Sequence, residues 1–354
     1  MFVLAPNSRL AIEPIDPLCD PKWDRLVLSH PAANFFHSTA WARVLFVTYG
    51  HAPRYMRFNR NGRLAALLPV MEIRSRLTGR RGVSLPFSDF CDPLFFDDGE
   101  AGGFLIDTLY NDALKRSWKY FEMRRGVENG CCPVPSKSFY GHALDLRNGA
   151  QECLAGFSSS VRRAIRKAGQ SDLSVELSQT RAAMLDFYRL HVRTRRRHGV
   201  PPQPISFFTN IHEHVMKFGN GFIALARLGG CPVASAVFCH FGREAVYKFG
   251  ASDERFQKFR ASNLVIWEGI KRLAEKGLET LHFGRTSLEN HGLRRFKLGW
   301  GTHEKTIQYF RFDMVSSRWM SGHDTTNGFH TSLFRWLPLV LNRLAGSAIY
   351  PHLD

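Results

Sequence analysis

A chain of 354 residues that is 44% hydrophobic and 22% charged has core material for two or three globular domains and is not a disordered polypeptide. Its 48 basic residues outnumber 31 acidic ones, and the formal net charge of +17 excludes an electrostatically inert surface; it favours an anionic partner such as nucleic acid, anionic lipid or a phosphate-bearing small molecule. Seven scattered cysteines, with Cys131 and Cys132 adjacent and no CxxC, speak against a disulfide framework or a zinc site. Residues Met1 to Ile15 lack a basic segment followed by an apolar one, and no uninterrupted apolar run reaches about 18 residues. A cytoplasmic protein with reduced thiols, no export signal and no spanning helix is expected.

In chain order, Phe36 to Tyr49 reads as a helix capped by Ser38 or Thr39, with Trp41, Val44, Leu45 and Thr48 at helical spacing. Arg54 to Phe58 reads as a short strand, Asn61-Gly62 as a turn with positive φ, and Arg63 to Ile73 as one strand marked by Pro69 as an edge or bulge. A strand-loop-strand over Ser84 to Phe96, an amphipathic helix over Gly103 to Ser117 and a strand over Trp118 to Arg124 follow. Glycines and prolines mark 125–150 as loop, ending a first domain at 150. Beyond it come a basic helix (Ser158 to Ala168), a long helix (Thr180 to about His198) stopped by Gly199 and Pro201-Pro202, and a third over Ser206 to Phe218. Strands are expected at Gly221 to Leu228, Pro232 to Phe241 and Ala245 to Ala251, then a helix at Ala261 to Lys276 and strands at Leu278 to Gly284 and Gln308 to Met314.

Arg54 to Met71 and Gly221 to Phe238 share a strand, glycine turn and apolar strand, which suggests two copies of one α/β unit, each a mixed sheet with helices on both faces. Residues 316–332 read as a polar linker. Leu333 to Tyr350 is apolar with Arg335 and Arg343: either an interfacial helix on an anionic membrane or a terminal helix docked on the body. The expected partition is 1–150, 151–315 and a tail 316–354.

GxSxG, GxxxxGK[ST], HExxH and GxGxxG are all absent, and His212-Glu213-His214 has the wrong helical spacing for a metal. What remains are chemistries of positioning and backbone dipoles, such as acyl transfer from a carrier. Phe283 to Thr302 is the most informative stretch: a strand end at Gly284, a loop at Asn290-His291-Gly292, then Arg294-Arg295-Phe296-Lys297 punctuated by Gly299 and Gly301. Cations near glycines let backbone approach a ligand while charge meets its phosphates. A solvated basic loop is the plainer alternative.

That segment resembles the FK-x-G-[FW]-G motif of the FemA/FemB/FemX aminoacyltransferase family. Phe187 to Gly199 resembles the family's helix ending in T-x-x-R-x-G before a Pro-rich turn and an aromatic pair (Phe207-Phe208 here). Ser159 to Lys167 resembles its basic helix at the domain junction, and Phe36 to Trp41 its F-x-[QS]-x-x-W opening. Together they cover about 15–315 in the family's order, and are most similar to the FemAB-like proteins of exopolysaccharide and exosortase gene clusters, whose strand-loop Ser88 to Pro93 also matches, as does the tail. The resemblance implies an α/β (α+β) protein of two tandem GNAT-like acyl-CoA N-acyltransferase domains, each a mixed, mostly antiparallel sheet flanked by helices. It also implies transfer of an acyl or aminoacyl group to an amine.

By motif, Lys297 is implied near the reacting centre, as an oxyanion stabiliser, a phosphate anchor or a structural ion pair. Arg197 is implied as a contact to acceptor phosphates. Arg294, Arg295 and Arg43 complete the candidate acceptor-phosphate set; Arg43 stands where the peptidoglycan enzymes carry a lysine after the tryptophan. Arg260, Ser262 and Asn263, at a helix N-terminus, are the candidate donor site. The usual Q/R-x-x-G-x-G/A loop for coenzyme A is missing, which speaks against acetyl-CoA; the resemblance implies acyl-CoA or an aminoacyl-tRNA as cosubstrate, with no tightly bound cofactor and no metal. Asp89 is a candidate to orient the acceptor amine, or else a turn residue. The expected partners are a phosphorylated envelope precursor of peptidoglycan or exopolysaccharide type, the inner face of the membrane and tRNA. The rival expectation is a non-catalytic binder of a lipid- or nucleotide-linked sugar phosphate; a generic nucleic-acid binder ranks last, for want of a helix-turn-helix, RRM or zinc pattern.

Overall fold

The computed structural model describes residues 10–97, 101–124, 134–322 and 334–354. Cys131, Cys132, the loop 125–133 and most of the expected linker lie outside them. The chain divides into two units, one of residues 1–139, 307–324 and 351–354, the other of 140–306 and 325–350.

The first unit starts with β1 (Leu10–Ile15), α1 (Trp23–Leu28) and α2 (Thr39–Tyr49), whose Ser38 cap accepts a hydrogen bond from the Trp41 N–H. After the short β2 (Ala52–Pro53), β3 (Tyr55–Arg60) turns through Asn61 (φ 50) and Gly62 (φ 78) into β4 (Arg63–Leu68). The single strand expected over Arg63 to Ile73 is two. Pro69 has no N–H to donate, and the chain leaves the sheet of β1, β3 and β4 and resumes as β5 (Met71–Ser75), which pairs with β6 (Gly79–Val83) in another sheet. Residues 84–93 are loop rather than strand, with Leu85 and Phe87 in the left-handed region, before β7 (Leu94–Phe95), which joins the edge of β4. Helix α3 (Ala101–Lys115) then leads to β8 (Tyr120–Arg124), which runs parallel to β6 for three residue pairs. Phe58, Leu68, Leu105, Trp118, Phe121 and Phe310 form this unit's apolar core.

The stretch expected to be loop up to 150 contains β9 (Lys137–Asp145) and α4 (Gly149–Gly156). His142 and Leu144 alternate inward in β9, a signal masked in the sequence by Gly141 and by the prolines before it. In the second unit α5 (Ser159–Gly169) is capped by Ser158 and α6 (Arg181–Arg197) by Thr180. Between them lies β10 (Leu173–Ser178), an edge strand whose polar outer face hid it. After α7 (Ile205–His214) come β11 (Gly221–Leu228), β12 (Cys231–Phe241) and β13 (Glu244–Ser252), all antiparallel neighbours. Helix α8 (Ala261–Glu275) crosses to β14 (Thr280–Ser287), which is parallel to β13. The basic-aromatic stretch, for which the sequence suggested no helix, holds α9 (His291–Leu298), capped by Asn290. β15 (His303–Asp313) follows, giving the order β10-β11-β12-β13-β14-β9-β15 for the strand segments of this unit. Phe222, Phe238, Val265, Ile270, Phe283 and Trp300 anchor its core.

From Ile307 onward β15 belongs to the first unit, where it pairs antiparallel with β8 and with β16 (Arg318–Met320). The units therefore interleave along the chain, whereas the sequence reading ends its second domain at 315. The tail folds as α10 (Leu339–Ile349), with Pro338 at its N-cap, and belongs to the second unit. Both units repeat one scheme: an antiparallel hairpin with a glycine turn, then a strand, a helix and a parallel strand.

Candidate functional site

A parallel pair opens where its strands diverge. β13 and β14 pair only at Glu244–Thr280, Ala245–Leu281 and Val246–His282, yet β13 continues to Ser252 and β14 to Ser287. Beyond Val246, β13 keeps β12 on one side while its ladder to β14 has ended. Helix α8 begins close in sequence to that opening, after Arg260 in the left-handed region (φ 57). Its seat on the sheet is fixed by Gly269, where a Cβ would lie 2.2 Å from the Phe238 ring.

Helix α5 turns Val161, Ile165 and Ala168 into the core, which leaves Arg163 and Lys167, one turn apart, on its outer side. The Ser158 N–H donates to the Gly299 carbonyl at 2.9 Å and ties the start of α5 to the end of α9. Between α5, the start of α8 and α9 lies a cleft of about 810 Å³. Arg163, Lys167, Arg260 and Arg295 line it with Ser158, Ser160, Asn263 and Phe296, and no carboxylate is among the described lining residues. Four cations, with no carboxylate among the described lining residues, beside an aromatic ring suit a ligand with several phosphates and a flat or apolar part.

A second cleft, of about 570 Å³, lies at the far end of β13. Arg193, Arg196, Arg197, Arg255 and Arg335 line it against Asp253 and Glu254, with Leu339 on its wall. Thr194 binds both the N–H and the carbonyl of Ser252 and fixes α6 to this strand end. Asp253 accepts from Arg193 at 3.1 Å and from Arg255 at 2.7 Å, and hydrogen bonding to Arg255 holds its carboxyl below the ordinary range. Arg197 stands 3.9 Å from Glu254.

The candidate residues are thus distributed rather than gathered. Arg260, Asn263 and Arg295 share the first cleft, joined by Arg163 and Lys167, which the sequence showed only as a basic helix face. Ser262 is half-buried and outside the lining. Arg197 is in the second cleft. Arg294, the neighbour of Arg295, points elsewhere: it makes two 2.8 Å bonds to Glu304 and lies 4.1 Å from the Tyr140 ring centroid. Arg43 belongs to the first unit and donates to the Leu18 carbonyl at 2.8 Å. Asp89 lies in the first unit's loop, where its backbone carbonyl accepts from the Tyr309 hydroxyl at 2.7 Å.

Lys297 is buried, and its ammonium donates to the Gly284 carbonyl at 3.0 Å and the Arg285 carbonyl at 2.9 Å. It clasps α9 to the end of β14. Nearby His142 is buried with neither ring nitrogen hydrogen-bonded to a described residue, and its Nδ1 is 3.9 Å from Glu304. Burial, and then the charge of Lys297, lower its pKa to about 4, so the ring is neutral at physiological pH.

In the first unit the loop after the parallel strand β6 is pinned to the end of β8 instead. After Val83 the loop is held by Arg124, which is buried, donates to the carbonyls of Leu85 (3.1 Å) and Ser88 (2.9 Å), and pairs with Glu122.

Residues 155–304 match the acetyltransferase (GNAT) domain family. No curated protein matches the chain. Among solved structures, FemX superposes with a TM-score of 0.66 at 17% identity, over 84% of this chain and 96% of that one. A tandem GNAT protein from the clavulanic acid biosynthesis pathway does so at 0.56 and 10% identity, over 86% and 99%. The C-terminal domain of a putative lysylphosphatidylglycerol synthetase from Agrobacterium fabrum does so at 0.52 and 15%, over 76% and 86%. The fold is therefore a tandem pair of GNAT-like units, each a mixed, mostly antiparallel sheet flanked by helices.

Proposed function

We propose that the chain is an N-acyltransferase of FemAB-like type whose second unit binds the donor in the α5–α8–α9 cleft. The cleft itself carries this reading: four cations line it, with no carboxylate among its described lining residues, and two of its walls, α8 and α9, are the helices that follow β13 and β14 in the chain. The cations hold the phosphates of an acyl carrier, and the strand ends offer backbone groups to the acyl chain and its carbonyl. The amine nitrogen attacks that carbonyl carbon, a C–N bond forms, the bond to the carrier's sulfur or oxygen breaks, and the amine proton leaves with the departing group or solvent. We assign the donor as acyl-CoA, with an aminoacyl-tRNA end as the rival. We assign the acceptor as an amine on a phosphate-bearing envelope precursor whose phosphate meets Arg197, at the inner face of the membrane. Lys297 acts here as a positioning residue for the β14 end, since two backbone carbonyls engage its ammonium. The same engagement favours the second reading, a non-catalytic binder of a sugar phosphate.

Ligand-dependent melting separates them. A donor at about 100 times its Kd stabilises by roughly 2.7 kcal/mol. Acyl-CoA is expected to raise Tm in the native chain and to lose most of that effect in R163A/K167A. Stabilisation by a charged-tRNA mimic instead moves the donor assignment. Stabilisation by sugar diphosphates alone, with no amide product from any donor, leaves the binder.

A further inference from the structure

The tail helix is inverted for a surface element. Toward α6 it presents Asn342 and Gly346, both buried, with Leu339 and Ile349 half-buried. Outward it presents Val340 (65% exposed), Leu341 (50%) and Leu344 (61%), and Trp336, 83% exposed, precedes them. On α10 itself, Val340, Leu341 and Leu344 lie within one turn of each other and form an apolar stripe; Trp336 precedes it, before the break at Leu337-Pro338. The orientation is held firmly. Gly346 lies against the Pro202 carbonyl, where a Cβ would come within 1.9 Å of the oxygen. The Asn342 side chain donates to the Phe334 carbonyl at 2.9 Å, and Arg195 donates to the Tyr350 hydroxyl at 2.8 Å.

A contiguous apolar stripe on the surface marks an interaction face, and its surroundings select the partner. Arg335 and Arg343 flank it, and Arg335 and Leu339 also line the arginine-rich cleft with Arg196 and Arg197. A second copy packed two-fold on this face would bring those arginines together. An anionic bilayer covers the stripe and neutralises the arginines in one step.

We propose that Trp336 and α10 dock this protein on an anionic phospholipid bilayer, and that the adjoining arginine cleft receives a lipid phosphate. The proposal deepens the acyltransferase reading, on which it rests only for that lipid's role as acceptor. No helix among the described residues is long and apolar enough to cross a membrane, so the contact is peripheral.

Co-sedimentation of the full chain with phosphatidylglycerol–phosphatidylcholine vesicles, against phosphatidylcholine alone, tests it. We expect about tenfold or greater preference for the anionic vesicles, weakened by salt. V340S/L341S/L344S, checked for an unchanged circular dichroism spectrum, is expected to lose about tenfold in binding, because its lost apolar contact is the anchor. R197A/R335A is expected to keep the apolar contact and lose the anionic preference. Inorganic pyrophosphate should remove that preference without releasing the protein's apolar contact, which distinguishes a lipid head group from a free phosphate. Equal binding to both vesicle types, unchanged binding of the triple variant, or a dimer that this variant abolishes while vesicles stay unbound overturns the proposal. Vesicle binding without amide formation keeps it and removes the acyltransferase reading; acylation of a soluble amine without vesicle binding does the reverse.

Discussion

Lys297 shows how a residue's neighbours revise what its motif implies. In the sequence it is a cation in a glycine-rich stretch; in the structure it is a buried clasp on the Gly284 and Arg285 carbonyls. Lys297→Met removes the donor from both and is expected to cost about 1–3 kcal/mol of stability, read as a lower Tm whether or not donor is present. An oxyanion role alone would lower turnover and leave the melting curve in place. Arg294 and Arg295 make the same point: adjacent on a helix they diverge by about 100°, so one pairs with Glu304 and the other lines the cleft. Buried histidines set the pH behaviour. Burial lowers His37 to about 4 and His51 and His191 to about 3, so the folded chain keeps them neutral while the unfolded chain protonates near 6.5. Stability is therefore full above that value and falls as pH drops toward the folded pKa values, by about 2 kcal/mol per histidine at pH 5. Melting curves at pH 5 to 8 check it, and a flat Tm across that range would contradict the assignment.

At the scale of elements, caps and periodicity were legible wherever the deciding contacts were local. Ser38, Thr180 and Ser158 start their helices, and Asn61-Gly62 turns its hairpin, because each acts within a few residues of itself. β9 and β10 were missed because a strand draws its stability from neighbours far away in sequence. α9 was missed because glycine and charge density imitate a loop. For the tail the sequence left two alternatives, and the structure shows a docked helix with an exposed apolar side. Gly346→Leu puts a side chain into the Pro202 carbonyl and is expected to free α10. Hydrogen exchange should then accelerate by at least about tenfold across 339–349 and stay unchanged in α8, the reference for the second unit's core.

At the scale of the molecule, the first unit is completed by residues that come back from beyond the second. Phe310 belongs to its core, and residues 309–313 pair with β8. A fragment of residues 1–150 is therefore expected to remain molten, with dye-accessible apolar surface and poor NMR dispersion, while the same fragment linked to 307–324 gains a cooperative transition. A well-folded short fragment would show that β15 is dispensable. The sequence by itself determined the basic charge, the core material, the helix starts, the hairpin turns and the repeated α/β scheme, because all of these depend on residue type or on spacings of a few residues. Only the tertiary structure decided which cations share a cleft, that Arg124 pins the loop after the first unit's β6, and that β15 divides between the units. Those outcomes depend on backbone approach between segments up to two hundred residues apart, a geometry that no local pattern encodes.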